Sequence, residues 1–243
     1  MNVSYPRAVA CGDSGVCIEF GDVISQEINE QVLALDEGIT ADQTHGVIET
    51  VPAYASLLIH YDASATCYDR VSKRALALAR KQSAIPPSRL LKVPVCYEGL
   101  FAPDISQVAA DLGLSASEVI DLHLAQTYRV YMLGFQPGFA YLGGLDGRLC
   151  LPRRSQIRHG APAGTISIAA SQCAVHSIEG PSGWHWIGRT PAPTLIPGER
   201  PQFVFRAGDQ IRFASISSRQ WRDLQEASLE GTYFIEVESA CQS

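Results

Sequence analysis

Guanidinium groups are the most reactive-looking feature of the chain. Leu151 to Gly160 reads LPRRSQIRHG and gathers Arg153, Arg154, Arg158 and His159 in a protein of net charge -6. An arginine fork grips carboxylate or phosphate through two parallel hydrogen bonds, so the run suits a small anionic guest or a nucleotide phosphate; a solvated loop is the ordinary alternative. Directly upstream lies GFQPGFAYLGGLD, Gly134 to Asp146, which contains Phe135, Pro137, Gly138, Phe139 and Tyr141. Such a loop cradles an anion or a flat ring on its backbone N–H groups and ring faces, or else closes a barrel with its rings plugging the core. Composition weighs these two readings of the loop equally, whereas the position of the arginine run directly after it favours a functional reading of the arginines. Downstream, Gln172 and Arg189 are placed to face the same site, although Arg189 equally suits the carbonyls at a barrel end and Trp184 or Trp186 a core. His123 is a lone histidine on a helix, a residue more often packed than catalytic.

Other chemistries are missing from the sequence. There is no Gly-Lys dipeptide and hence no P-loop, and no G-x-G-x-x-G opens a helix. The six histidines, at 45, 60, 123, 159, 176 and 185, have no metal-ligand spacing among themselves or with cysteine, so no metal is expected. Gly12-Asp13-Ser14-Gly15 imitates a protease nucleophile peptide, yet it stands too close to the N-terminus for upstream His and Asp partners and reads as a tight turn. Seven scattered cysteines without a C-x-x-C suit reduced thiols. The acidic balance disfavours nucleic acid, and neither a targeting segment nor a membrane-length apolar run is evident, so a cytoplasmic protein is expected.

The elements that must position these residues fall into two parts, expected at 1–88 and 89–243. The first reads strand 16–20, helix 25–39 stopping at Gly38, strands 47–51 and 56–61, and helix 69–82 with Asp69 as N-cap and Pro86-Pro87 as its stop. An extended stretch at 90–96, where Pro94 suggests an edge strand, completes the order of a split βαβ, ferredoxin-like unit. Two short helices follow, 104–112 with Asp104 and Gln107 at cap spacing, and a second opened by the Ser115/Glu118 capping box, which carries His123. From there short β-like runs at 128–133, 165–169, 174–178, 184–187, 203–205, 210–213 and 233–237, punctuated by Gly and Pro, predict a closed or nearly closed barrel. With 46% hydrophobic and 18% charged residues the whole is expected to fold.

The series YMLGFQPGFAYLGGLD, LPRR, PAGTISIA and GWHWIGRTP, with GDSGVCIEFGD and VPVCYEG before it, resembles the B-type subunit family of 5-oxoprolinase over essentially the whole chain. That family also takes in sporulation-kinase inhibitors and the first half of the urea-carboxylase carboxyltransferase, also labelled as the first subunit of allophanate hydrolase. The resemblance implies an α+β fold, a ferredoxin-like α/β domain followed by a cyclophilin-like β-barrel. It implies ATP, with Mg2+, as cofactor, held here or on a partner. The implied partners are a second cyclophilin-like subunit, of the C type, together with a TIM-barrel-like subunit of the A type. The implied reaction is the opening of 5-oxo-L-proline to L-glutamate. Carried over by position, Arg153, Arg154 and Arg189 hold an anion, Gln172 meets an amide and His123 carries a proton. Phe135, Pro137, Gly138, Phe139, Tyr141, Trp184 and Gly188 match the pattern as well. Inhibition of a sensor histidine kinase and carboxyl transfer are the alternatives that the same family offers. The chain departs from the family's I-A-G-G-Q and S-P-G-G-W at Ala170-Ser171 and at Gly180 and Ser182, and Ala140 stands where proline is common; the lost glycines add Cβ atoms near the expected ligand.

Overall fold

The computed structural model describes residues 4–81, 88–196, 198–199 and 201–238, in two compact units, Met1–Pro87 and Ser88–Ser243. In the first unit β1 (Arg7–Ala10) and β2 (Gly15–Glu19) precede α1 (Gln26–Asp42), then β3 (Val47–Pro52), β4 (Ser56–Tyr61) and α2 (Tyr68–Ala79). The strands form one antiparallel sheet in the order β1-β2-β4-β3. Alternate residues Val16, Ile18, Leu57 and Ile59 are fully buried and meet Val32, Leu35 and Ile39 of α1 and Val71, Ala75 and Leu78 of α2, the period-two and helical stripes that a sheet covered by helices requires.

Three local expectations change here. Gly38 does not stop α1, because buried Ile39 keeps the apolar stripe running and an interior glycine costs only about 1 kcal/mol; the helix ends at Gln43, in the left-handed region with φ 48°. Cys67, not Asp69, occupies the N-cap of α2, and Asp69 lies in its first turn. The sheet takes its fourth strand from the N-terminus, β1, and not from the segment after α2. Gln82, Pro86 and Pro87, expected to end α2, lie outside the described residues.

The second unit begins with β5 (Leu90–Cys96), α3 (Ile105–Leu112) and α4 (Ala116–Leu124), and continues through β6 (Tyr128–Leu133), β7 (Ala140–Gly143), β8 (Arg158–Ala161), β9 (Thr165–Ala169) and β10 (Gln172–Val175). It closes with β11 (Gly180–Ser182), β12 (His185–Arg189), β13 (Leu195–Ile196), β14 (Gln202–Phe203), β15 (Gln210–Ile216), α5 (Ser218–Leu229) and β16 (Glu236–Glu238). Seven strands close a barrel in the order β12-β9-β10-β7-β6-β15-β5, with Arg189 of β12 opposite Cys96 of β5 completing the ring. The stretch at 90–96 is thus a barrel strand, parallel to β15 from Leu90 opposite Gln210 to Cys96 opposite Ile216. On its other side β16 pairs with Leu90 to Lys92 and β12 with Cys96. Pro94 stands in register with Ala214 of β15, and on the other side it falls between those two pairings, at a position with no ladder partner among the described residues.

The barrel interior is filled by Leu91, Val93, Val95, Val130, Leu142, Ile166, Ile168, Ile187 and Ile211, all fully buried, with Val108 and Val119 packed in from α3 and α4. The expected capping box of α4 forms: the Ser115 hydroxyl accepts from Glu118 N and the Glu118 carboxylate from Ser115 N. Asp104, expected to cap α3, makes no cap hydrogen bond with its side chain. The helix α5 has the same kind of signature, with Ser217 accepting from Gln220 N and Gln220 returning the bond, and it buries Trp221. Cys11, Cys17, Cys67, Cys96, Cys150 and Cys173 are free thiols, and Cys241 lies outside the described residues. Among the described residues no helix is long and apolar enough to cross a membrane.

Candidate functional site

A cavity of about 460 Å³ opens in the second unit, lined on one side by Phe135, Phe139, Tyr141 and His176 and on the other by Arg153 to Ser155, Ile157 and Pro181 to Trp184. The first wall is the β6–β7 loop, a tight hairpin connection in which Gly134 N donates to Phe139 O and Phe139 N to Gln136 O, both at 3.1 Å. Two residues of this loop have left-handed backbones, Gly138 at φ 76° and Phe135 at φ 68°. Glycine takes that geometry freely, whereas an aromatic residue there is strained, a feature that concentrates at binding sites. Phe135 nonetheless presents its ring outward, 61% exposed. The loop is tied to the segment after β10 by Ser177 Oγ donating to Pro137 O at 2.5 Å and Gln136 Nε2 donating to Glu179 O at 3.3 Å.

The rings run on from there: Phe135 to Phe139 at 5.4 Å between centroids, Phe139 to Tyr141 at 4.8 Å and Tyr141 to Trp184 at 6.0 Å. Trp184 is presented by a short loop whose Ser182 hydroxyl accepts from Trp184 N at 3.2 Å. Over its indole face, 5.7 Å from the centroid, sits the guanidinium of Arg153. Arg153 is exposed and makes no ion pair among the described residues. Its charge works against the burial that raises the Tyr141 phenol pKa. A flat apolar body with one anionic edge fits such a wall: rings for the body, one uncommitted cation for the charge.

Arg154 and Arg158 have another employer. Asp104, 5% exposed, accepts from Arg154 Nη1 at 3.3 Å, from Arg158 Nη2, and from Trp186 N at 2.7 Å. Arg158 also stacks over Trp186 at 3.7 Å. A buried carboxylate that joins two guanidinium groups and a strand N–H is a strut, and it removes most of the anion-holding capacity of two of the three arginines in LPRRSQIRHG. Arg154 still reaches the cavity wall, and its backbone N donates to Gly183 O at 2.8 Å, which pins the arginine segment to the Trp184 loop.

The remaining expected site residues stand elsewhere. His123 is fully buried in the barrel, with Nδ1 2.8 Å from the Tyr97 hydroxyl, Nε2 3.6 Å from the Cys173 thiol and its ring stacked 4.7 Å from Phe213. Burial pushes its pKa down to about 3, so it is a neutral core group and not a proton carrier for a guest in the cavity. Arg189 ends β12, where Nε donates to Ala163 O at 2.9 Å and the guanidinium lies over Trp221 at 5.1 Å; burial lowers its pKa. It braces the barrel end and does not line the cavity. Gln172 starts β10 beside the Ala170-Ser171 loop, also off the cavity wall. Pro137 and Gly138 shape the aromatic loop from behind, and Gly188 gives room for Val95, whose Cγ1 would lie 2.6 Å from an added Cβ.

His176, Ser182 and the strut Asp104 were not among the expected site residues. Asp104 carried only its cap spacing as a signal, and His176 lies in no motif. Among the described residues no group of His, Cys, Asp and Glu is arranged to hold a metal ion.

The carboxyltransferase domain, subdomain C and D, matches residues 6–205. A protein of Bacillus subtilis named as the B subunit of 5-oxoprolinase is 37% identical over 94% of this chain and 100% of its own. The protein of that name from Escherichia coli O157:H7 is 31% identical over 85% and 94%. The Kluyveromyces lactis urea amidolyase superposes with a TM-score of 0.80 at 19% identity over 95% of this chain and 16% of that one, a likeness of fold. The matches extend across both units and include the loop, arginine and tryptophan segments that wall the cavity. The chain therefore belongs to the carboxyltransferase C and D subdomain family, among the proteins named as B subunits of 5-oxoprolinase.

Proposed function

We propose that this chain is the B-type subunit of an ATP-dependent 5-oxoprolinase and that its cavity receives 5-oxo-L-proline, which the assembled enzyme opens to L-glutamate. In this reading the two units are the ferredoxin-like and cyclophilin-like halves of the chain, joined in the working enzyme by two further subunits, one cyclophilin-like and one TIM-barrel-like. The observation that carries the reading is Arg153, a guanidinium without a carboxylate partner among the described residues, at the edge of an aromatic-walled cavity. The guest is a five-membered lactam with one carboxylate; the rings of Tyr141 and Trp184 suit its flat body and Arg153 its charge.

ATP would supply the activation that a reluctant amide requires: transfer of its terminal phosphoryl group to the lactam oxygen would release ADP, and attack of water on the activated carbon would open the ring with loss of phosphate. A triphosphate with Mg2+ needs several converging donors, whereas Asp104 already engages Arg154 and Arg158. The nucleotide is accordingly assigned to a partner, and this chain's part is to hold the lactam and fix its carboxylate while water reaches the carbonyl that is opened. The test is 5-oxoproline-dependent ATP hydrolysis by the chain reconstituted with its co-encoded partners. Activity that needs all subunits and falls at least about tenfold in Arg153→Ala, the loss of one charge-assisted contact, supports the reading. No 5-oxoproline-dependent turnover in the complete assembly would overturn it.

A further inference from the structure

Two residues of the cavity wall have a buried polar atom without a hydrogen-bond partner among the described residues, Arg154 at Nε and His176 at Nδ1; the Arg154 guanidinium already serves Asp104, and the His176 nitrogen is the neutral one. His176 follows β10 and is 1% exposed, and its main chain is satisfied: its N donates to Thr165 O at 2.9 Å and its O accepts from Gly164 N at 2.8 Å. The ring stands edge-on to Phe139 at 4.8 Å, with Nε2 3.1 Å from the hydroxyl of fully buried Ser167. Nδ1 is buried without a hydrogen-bond partner among the described residues. A buried nitrogen left this way costs about 1–3 kcal/mol, a cost that persists where a ligand satisfies the group.

We propose that His176 determines specificity in this cavity by hydrogen bonding, through Nδ1, to the amide of a cyclic amido acid whose carboxylate Arg153 holds. The proposal rests on the reading of the cavity given above and adds the contact that separates a lactam from a hydrocarbon ring of the same shape. The two tautomers serve alike. If the Ser167 hydroxyl donates to Nε2, Nδ1–H donates to the lactam carbonyl; if Nε2–H donates to Ser167, Nδ1 accepts the lactam N–H. Burial holds the imidazole pKa down to about 4, which keeps the ring neutral at physiological pH and so matched to a neutral amide. Arg153 supplies affinity for any small carboxylate; His176 supplies the choice among them.

The test compares two ligands on the complete assembly by calorimetry, 5-oxo-L-proline and cyclopentanecarboxylate, which has the ring and the charge but no amide. The wild type is expected to prefer 5-oxoproline by roughly ten- to a hundredfold, the span of one buried hydrogen bond. His176→Phe, which keeps a ring of similar size, is expected to bind the two ligands equally, while Arg153→Ala weakens both and keeps the preference. His176→Gln, polar again, is expected to restore part of the preference and guards against a folding defect in the first variant. A preference that survives unchanged in His176→Phe would overturn this inference and leave the proposed function standing. A wild-type assembly that binds neither ligand would overturn both.

Discussion

Acid should destabilise the barrel unit as the pH falls from about 7.5 to 4.5, and His123 should account for about half of the effect that its buried histidines cause. Unfolded, a histidine titrates near 6.5; in the fold, burial holds His123 at about 3 and His176 at about 4. The folded pKa values are depressed, so between these limits only the unfolded chain takes up the protons, and stability falls as pH falls below about 6.5. At about 1.4 kcal/mol per pH unit, His123 removes roughly 2.7 kcal/mol between pH 7.5 and 4.5 and His176 slightly less, together about 5 kcal/mol. Asp146, held at about 2 by Arg148, contributes little above pH 4.5. Urea unfolding followed by tryptophan fluorescence reads the right unit, since Trp184, Trp186 and Trp221 all belong to it. The expected drop of about 5 kcal/mol is a large share of the ~5–15 kcal/mol by which domains are stable. In His123→Gln it should shrink to about 2.5 kcal/mol, although the variant starts lower at pH 7.5 for want of the ring stack on Phe213. A wild type flat across this range, or a variant with the full drop, would refute the description of His123 as a neutral core group.

Ala170 holds φ 48° in the two-residue loop between β9 and β10, so Ala170→Gly should stabilise the protein by about 0.5–1 kcal/mol, read as a raised urea midpoint. Asp104→Asn leaves two part-buried guanidinium groups without their counter-charge and should cost about 2–3 kcal/mol, with weaker binding of 5-oxoproline as Arg154 and its segment loosen. Gly188→Ala drives a methyl against Val95 and Tyr97 and should cost about 1–3 kcal/mol by thermal unfolding, with the cavity lining chemically unchanged.

What the sequence disclosed was local. The Ser115/Glu118 box named the start of α4 because both partners lie within one turn, and the alternating runs at 56–61, 128–133 and 165–169 are strands with those bounds. The same local signal at Ser217/Gln220 marks α5, a helix not anticipated although its capping residues lie within one turn. The bounds that slipped did so where tertiary contacts decide, as at Gly38, carried through by burial of Ile39. In the site, the aromatic loop and the arginine run meet as their adjacency suggested. Yet no spacing announces that Asp104, fifty residues upstream, consumes Arg154 and Arg158, nor that α4 buries His123 against Phe213 and β12 ends with Arg189 braced on Ala163. His176 sits in a stretch without any motif, and only the fold places its ring against Phe139.

The most direct test is a structure of the complete assembly with 5-oxo-L-proline. The lactam should lie between Tyr141 and Trp184, with its carboxylate within hydrogen-bond distance of the Arg153 guanidinium. Ligand bound only at another surface, with this cavity filled by solvent, would contradict the account.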